Sequence, residues 1–131
     1  MPNERQPPSD GELEVLKALW DGGPSTVRGV DGALRGRGRA RAYTTVQTLL
    51  NRLREKGHVA AEADGSALVY RAESSRDDLL RDRLRDLADQ LCEGEPTPLV
   101  LTLVEGNRFT AEEVARFRAL LDRHRGDAPP A

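Results

Sequence analysis

YTTVQTLLNRLREKG, residues 43–57, is the stretch whose reading decides the fold. Val46, Leu49, Leu50 and Leu53 recur at i, i+3, i+4 and i+7, so a 3.6-residue period gathers them on one side of a helix, the side expected to be buried. The opposite side carries Thr44, Gln47, Thr48, Asn51 and Arg52. These are short hydrogen-bonding groups and one guanidinium, where an ordinary solvated helix more often shows Glu and Lys. Such a surface suits base edges and phosphates. Gly57 follows a last turn that holds Arg54 and Lys56, and the three together mark a helix C-terminus.

Working outward toward the N-terminus, Ser9 and Glu12 have the spacing of a capping box. The stripe Leu13, Leu16, Leu19 and Trp20 then predicts a first helix ending at Gly22-Gly23. Pro24-Ser25-Thr26 opens a second helix with Val27, Val30 and Leu34 as its apolar positions. Gly29 and Gly32 inside it each cost about 1 kcal/mol relative to Ala, so packing must hold it. RGRGRAR, Arg35 to Arg41, reads as a basic connector too rich in Gly and Arg to bury anything. After Gly57 the period changes to 2: Val59, Ala61 and Ala63 alternate, Asp64-Gly65 signals a tight hairpin, and Leu68 and Tyr70 resume on the return strand. Three helices and a hairpin in this order make a winged helix-turn-helix, expected over residues 9–73. Its third helix enters the major groove and its hairpin, or wing, lies along the flanking backbone.

Residues 74–125 form a second predicted unit, helical throughout. Ser74-Ser75 is its N-cap, and Leu80, Leu84, Leu87 and Leu91 form a seam spaced 4, 3, 4 that Leu79 widens. Beyond the break at Gly94-Glu95-Pro96 come PLVLTLV, with Leu99, Leu101 and Leu103, and a last helix opened by the capping box Thr110 to Glu113. Val114, Phe117, Leu120 and Leu121 share one face of that helix. A stretch of about 50 residues rarely completes a core alone, so pairing with a second copy is the expected solution. Leu80, Leu84, Leu87, Leu91, Leu99, Leu101, Leu103, Phe117 and Leu121 are the expected dimerisation residues. Residues 1–8 read as a disordered arm and 126–131 as a disordered tail. The predicted fold class is therefore mainly α with a small β-hairpin, a winged helix-turn-helix followed by a small helical dimerisation unit.

Composition agrees with a charge-rich globular protein, 37% hydrophobic and 32% charged over 131 residues. No apolar run approaches the ~18 residues needed to span a membrane, and the first eight residues lack the apolar core of a signal peptide, so a cytoplasmic protein is expected. Cys92 is the single cysteine, and His58 and His124 have no partners at ligand spacing, so no metal and no cofactor are expected. The formal net charge of -2 conceals an asymmetry. Arg28 to Lys56 holds eight basic and two acidic residues, a local balance of +6, whereas residues 76–131 hold nine Arg and twelve Asp or Glu, a balance of -3. A polyanion would meet the first half. Arg39 and Arg41 in the connector and Arg71 after the hairpin are the expected sources of phosphate contact beside the helix. Tyr43 is compatible with packing or with a phosphate.

GELEVLKALWDGGPSTV, YTTVQTLLNRLREKGHV and the following hairpin resemble the penicillinase-repressor family of bacterial transcriptional regulators, over about Ser9 to His124. That family includes the β-lactamase and methicillin-resistance repressors and a copper-responsive branch. The resemblance implies a homodimer that binds double-stranded DNA at an inverted-repeat operator, with recognition contacts carried over to Thr44, Thr45, Gln47 and Thr48. It also implies a sensor protease as a partner in the antibiotic-responsive members. Those members are cleaved at an Asn-Phe bond where this chain has Thr102-Leu103, which sets it apart from cleavage there. The copper branch uses a cysteine-rich tail, and this chain ends in GDAPPA. Where family members often have a basic residue after the wing glycine, this chain has Ser66-Ala67.

The expected function is a homodimeric, non-catalytic transcriptional repressor acting through residues 43–56. The alternative is a winged-helix protein-interaction module in which the same polar face meets a protein. A hydrolase is the poorest reading, since no cluster of nucleophile, base and oxyanion donors is visible.

Overall fold

A computed structural model describes residues 5–126. Helices α1 (Asp10–Gly22), α2 (Val27–Gly36) and α3 (Tyr43–Glu55) are followed by strands β1 (Val59–Asp64) and β2 (Ala67–Ala72), then by α4 (Arg76–Leu91), α5 (Thr97–Glu105) and α6 (Ala111–Arg123). This is the expected class, mainly helical with one antiparallel hairpin. Contacts divide the chain into two units inside α4, between Leu84 and Arg85. The described residues contain no helix long and apolar enough to cross a membrane.

The core of the first unit is built largely from the predicted stripes, with Val15 added to that of α1 and Leu13, Trp20 and Val27 only partly buried against it. Val15, Leu16 and Leu19 of α1, Val30 and Leu34 of α2, and Val46, Leu49, Leu50 and Leu53 of α3 are buried together with Val59, Tyr70 and Leu79. Local signals set the helix ends. Ser9 and Glu12 close a reciprocal capping box, and the Thr26 hydroxyl accepts from the Gly29 amide. At the end of α3, the His58 amide donates to the Leu53 carbonyl at 2.9 Å and the Gly57 amide to the Arg54 carbonyl at 3.1 Å. This is the Schellman pairing, and Gly57 takes the left-handed φ of 85° that it requires.

The hairpin pairs Asp64 with Ala67, so its two-residue turn is Gly65-Ser66, one position later than the Asp64-Gly65 signal suggests. Gly65 at φ 65° leads, as in a type II′ turn, and Asp64 ends β1 as a paired residue. At the wing's root Ser25 exchanges two backbone hydrogen bonds with Tyr70, at 2.9 and 2.7 Å, as a third strand of one residue. The connector also starts later than its composition implies. Arg35 and Gly36 belong to α2, because Arg35 pairs with Asp31 one turn back and the helix continues through both.

The arm expected to be disordered is held in place over residues 5–8. The Lys56 ammonium donates to the Pro7 carbonyl at 3.3 Å, the His58 Nε2 meets the Gln6 carbonyl at 2.7 Å, and the Arg5 guanidinium donates to Ser74 Oγ at 2.6 Å. His58 Nδ1 lies 2.7 Å from the same Ser74 hydroxyl, so the buried imidazole is satisfied at both nitrogens. Residues 1–4 and most of the expected tail, 127–131, lie outside the described residues.

The same corner contains an ion pair whose carboxylate is buried. Lys56 Nζ sits 2.6 Å from Glu12 Oε1, and the Glu12 side chain is only 2% exposed. Burial pushes the Glu12 carboxyl up, but the hydrogen bond and charge of Lys56, with the Ser9 amide and hydroxyl, outweigh burial and hold it below its usual value of 4.5. A carboxyl more acidic folded than unfolded stabilises fully above about pH 4.5, and that stabilisation is lost as pH falls through the lower folded value. Glu12→Gln keeps the capping-box geometry and removes the ion pair. At neutral pH we expect it to cost roughly 2 kcal/mol, less than orphaning a fully buried charge, because Lys56 reaches water. Denaturant titrations between pH 3 and 7 should show the difference between wild type and variant shrinking as pH falls; a constant difference would show that the pair is not the source.

Candidate nucleic-acid interface

The buried face of α3 turns its opposite face outward. Thr44, Thr45, Gln47, Thr48, Asn51 and Arg52 are all exposed, so the helix carries every residue predicted there on its solvent side. Their chemistry differs in ways the sequence does not show. Thr48 is exposed and donates its hydroxyl to the Thr44 carbonyl at 3.0 Å, which leaves its oxygen as an acceptor beside its methyl group. That combination suits a base amino group or a thymine methyl. The Gln47 and Asn51 amides make no hydrogen bond to the described residues, so both donor and acceptor edges are open for bidentate contact of the kind adenine accepts.

Two further features bring residues to this face that sequence reasoning left out. The N-cap of α3 is Ala42, with no side-chain cap, whereas Ser9, Thr26 and Thr110 cap α1, α2 and α6. The first amides of α3 are thus left without a side-chain acceptor, and they carry the positive end of the helix dipole. The missing Ser, Thr or Asp at position 42 was the available signal. In addition, Tyr43 and Gln47 line one side of an open groove, completed by Thr26, Val27 and Arg28 at the start of α2 and by Ser66, Ala67 and Leu68 of the wing. Tyr43 is 43% exposed, which places it on the outer surface and not in the core. Arg28 counted toward the basic balance of the sequence, but only the fold sets it beside Gln47.

The basic residues divide into matched and unmatched. Arg35 is held by Asp31 at 3.1 Å, Arg37 by Asp21, and Arg39 reaches Glu14 at 4.0 Å. Lys56 is committed to Glu12. Arg71 is paired with both Glu62 and Glu73, so the wing residue expected to supply charge has it balanced within the hairpin. Arg28, Arg41, Arg52 and Arg54 are exposed and make no ion pair among the described residues. The guanidinium of Arg41 lies across Gly11 at the start of α1.

The second unit presents a different surface. None of the residues of α5 or α6 is buried, and Leu101, Leu103, Phe117 and Leu121 are 57%, 61%, 40% and 63% exposed. Leu87 and Leu91 of α4 are exposed as well, as are Leu80 and Leu84 in the first unit, while Leu99 is partly buried. Phe109, which the helical stripes did not pick out, stacks edge-on to Phe117 with ring centroids 5.0 Å apart.

The family model described as penicillinase repressor matches residues 8–123. The transcriptional regulator BlaI of Mycobacterium tuberculosis is 38% identical over 128 residues, covering 92% of this chain and 91% of that protein. The penicillinase repressor of Bacillus licheniformis is 26% identical over 117 residues, covering 89% and 91%. The solution structure of monomeric Bacillus licheniformis BlaI in complex with the blaP half-operator aligns with a TM-score of 0.48 at 29% identity, over 57% of this chain and 90% of that one.

The division of the arginines has a measurable consequence. Arg41→Ala should reduce the slope of log K against log salt for duplex DNA by about 1 per protomer, and Arg37→Ala by clearly less, because Asp21 already neutralises it. Anisotropy titrations of a labelled duplex at several salt concentrations check this; equal losses for the two variants would reject the division.

Proposed function

The chain belongs to the penicillinase-repressor family and is a DNA-binding transcriptional repressor, not an enzyme; from that premise we propose that two copies occupy an inverted-repeat operator through α3. The observation that carries the reading is the exposed face of α3, where uncommitted amides, an acceptor hydroxyl and unpaired arginines stand together above a uniformly buried leucine face. In this reading Thr44, Thr45, Gln47, Thr48 and Asn51 meet base edges. Arg52 and Arg41 meet phosphates, with Arg28 and Arg54 beside them. Arg39 contributes when Glu14 releases it, the 4.0 Å separation being loose. Arg71 chiefly holds the wing together.

The homodimer is supported by the second unit. Its exposed leucines and Phe117 offer an apolar surface that a small helical unit leaves open until a second copy covers it. Residues 9–73 then read DNA and 74–125 join the copies, with half-sites one helical turn or a multiple apart. The site of action is the cytoplasm. A sensor protease upstream is part of the family's pattern, but the Thr102-Leu103 bond lies inside α5 as hydrogen-bonded helix. Proteases bind extended backbone, so the proposal assigns that bond no role in induction.

Selection of bound sequences from randomised duplex tests the reading directly: an enriched inverted repeat is expected, and its absence would favour a protein-interaction module. With four unmatched arginines per protomer, a dimer meets about eight phosphates, and the salt slope should be roughly -7. Gln47→Ala should cost about 1–3 kcal/mol on the selected operator and leave non-specific binding nearly unchanged. Replacing Leu87 and Leu121 with Glu should give monomers by sedimentation and abolish cooperative operator occupancy; dimers that persist would place the contact elsewhere.

A further inference from the structure

Away from the α3 face, a cleft of about 160 Å³ opens between α1 and the first turns of α4. Leu13, Lys17 and Trp20 line it from one helix, and Arg76, Leu79, Leu80 and Arg83 from the other; all seven belong to the first unit. On each helix the lining residues recur at spacings of 3 and 4: Arg76 and Arg83 bracket Leu79 and Leu80 on α4, and Lys17, 3.8 Å from Glu14, lies between Leu13 and Trp20 on α1. The floor is fixed. The Trp20 indole donates to the Ser74 carbonyl at 2.8 Å, and Leu79 is 7% exposed. Leu80 is 55% exposed at the mouth, and the Arg76 guanidinium rests 5.2 Å over the Trp20 ring. Three cations and no carboxylate are among the lining residues.

The combination selects a class of ligand. A cavity of this size holds about one benzene ring, and an apolar floor beside an indole favours a flat, apolar body. The cationic rim demands a negative charge at one end, which Arg76 or Arg83 can bind with two parallel N–H donors. We propose that this cleft binds a small aromatic carboxylate and acts as an effector site. Its position supplies the second half of that statement. α4 starts at the cleft and continues past Leu84 into the unit that carries the exposed leucines, so a ligand bridging α1 and α4 stabilises one placement of that helix root over others. The effector half rests on the operator-binding reading given above; the binding half does not.

Trp20 is the only tryptophan in the sequence, so its fluorescence reports on the cleft without a label. The full-length protein is titrated with benzoate, with benzamide as the neutral isostere, at ionic strength held constant with chloride. A saturable change is expected with benzoate, with benzamide at least tenfold weaker. Arg83→Met, an exposed position whose loss leaves the core intact, should weaken benzoate about tenfold and leave benzamide unchanged. No saturable change, or equal response to the two compounds, overturns the site. A Trp20 signal that follows protein concentration and ignores benzoate also overturns it, since a second copy then covers the cleft. Saturating benzoate should shift the operator Kd at least threefold; an unchanged Kd with Trp20 saturated overturns the effector role. A protein that binds no operator at any benzoate concentration defeats the repressor reading while the fluorescence titration still stands.

Discussion

The ion pair between Glu12 and Lys56 joins the first turn of α1 to the C-cap of α3, and much of the geometry of the exposed α3 face is set from that corner. It brings a carboxylate that is almost wholly removed from water to an ammonium at 2.6 Å; the Ser9 amide donates to the same carboxylate oxygen, and the Ser9 hydroxyl accepts from the Glu12 amide to complete the capping box. An isolated buried carboxylate would be costly, so the lysine and the capping box are required together. The buried leucines of α3 fix which side of the helix faces in; the pair fixes where along α1 its C-terminus sits. Position 43, twelve residues before Glu55, is then carried outward by an unbroken helix.

From that fixed end the surface sorts itself by what each charge already touches. Asp21 and Glu14 draw Arg37 and Arg39 of the connector back onto the body of the fold, Asp31 holds Arg35 within α2, and Glu62 and Glu73 hold Arg71. A basic stretch is thereby reduced to a few uncommitted cations flanking a polar helix. In the proposed reading, affinity and choice are less separated in space than the composition implies, since Arg52 and Arg54 lie on α3 itself and Arg28 shares a groove with Gln47. The wing contributes shape, with exposed Ser66, Ala67 and Leu68 at its tip, and little free positive charge.

Much of the fold was legible because its causes are local. The spacing of Val46, Leu49, Leu50 and Leu53, the Ser9–Glu12 and Thr110–Glu113 boxes, and the change of period after Gly57 each involve residues within one or two turns. What escaped reading depends on residues far apart in the chain. Lys56 looked like a complement to the helix dipole and is instead 44 positions from its true partner. His58 showed no ligand spacing, yet it ties β1 to the arm and to Ser74 across 52 and 16 positions. The Ser25–Tyr70 bridge has no signature in either segment alone. For the proposed interface, residue type and helical face were enough to place the α3 side chains on the exposed side of the helix, whereas the pairing state of each arginine required knowing which acids fold back to meet it.

The anchoring of residues 5–8 has an implication for how this chain can vary. Two of its three ties use main-chain carbonyls, those of Gln6 and Pro7, as acceptors. A carbonyl is present whatever the side chain, so selection acting on this latch falls on Arg5, Lys56, His58 and Ser74 and hardly at all on positions 6 and 7. The segment can drift in sequence while keeping its path, and two relatives with dissimilar leading residues can share the same closed corner.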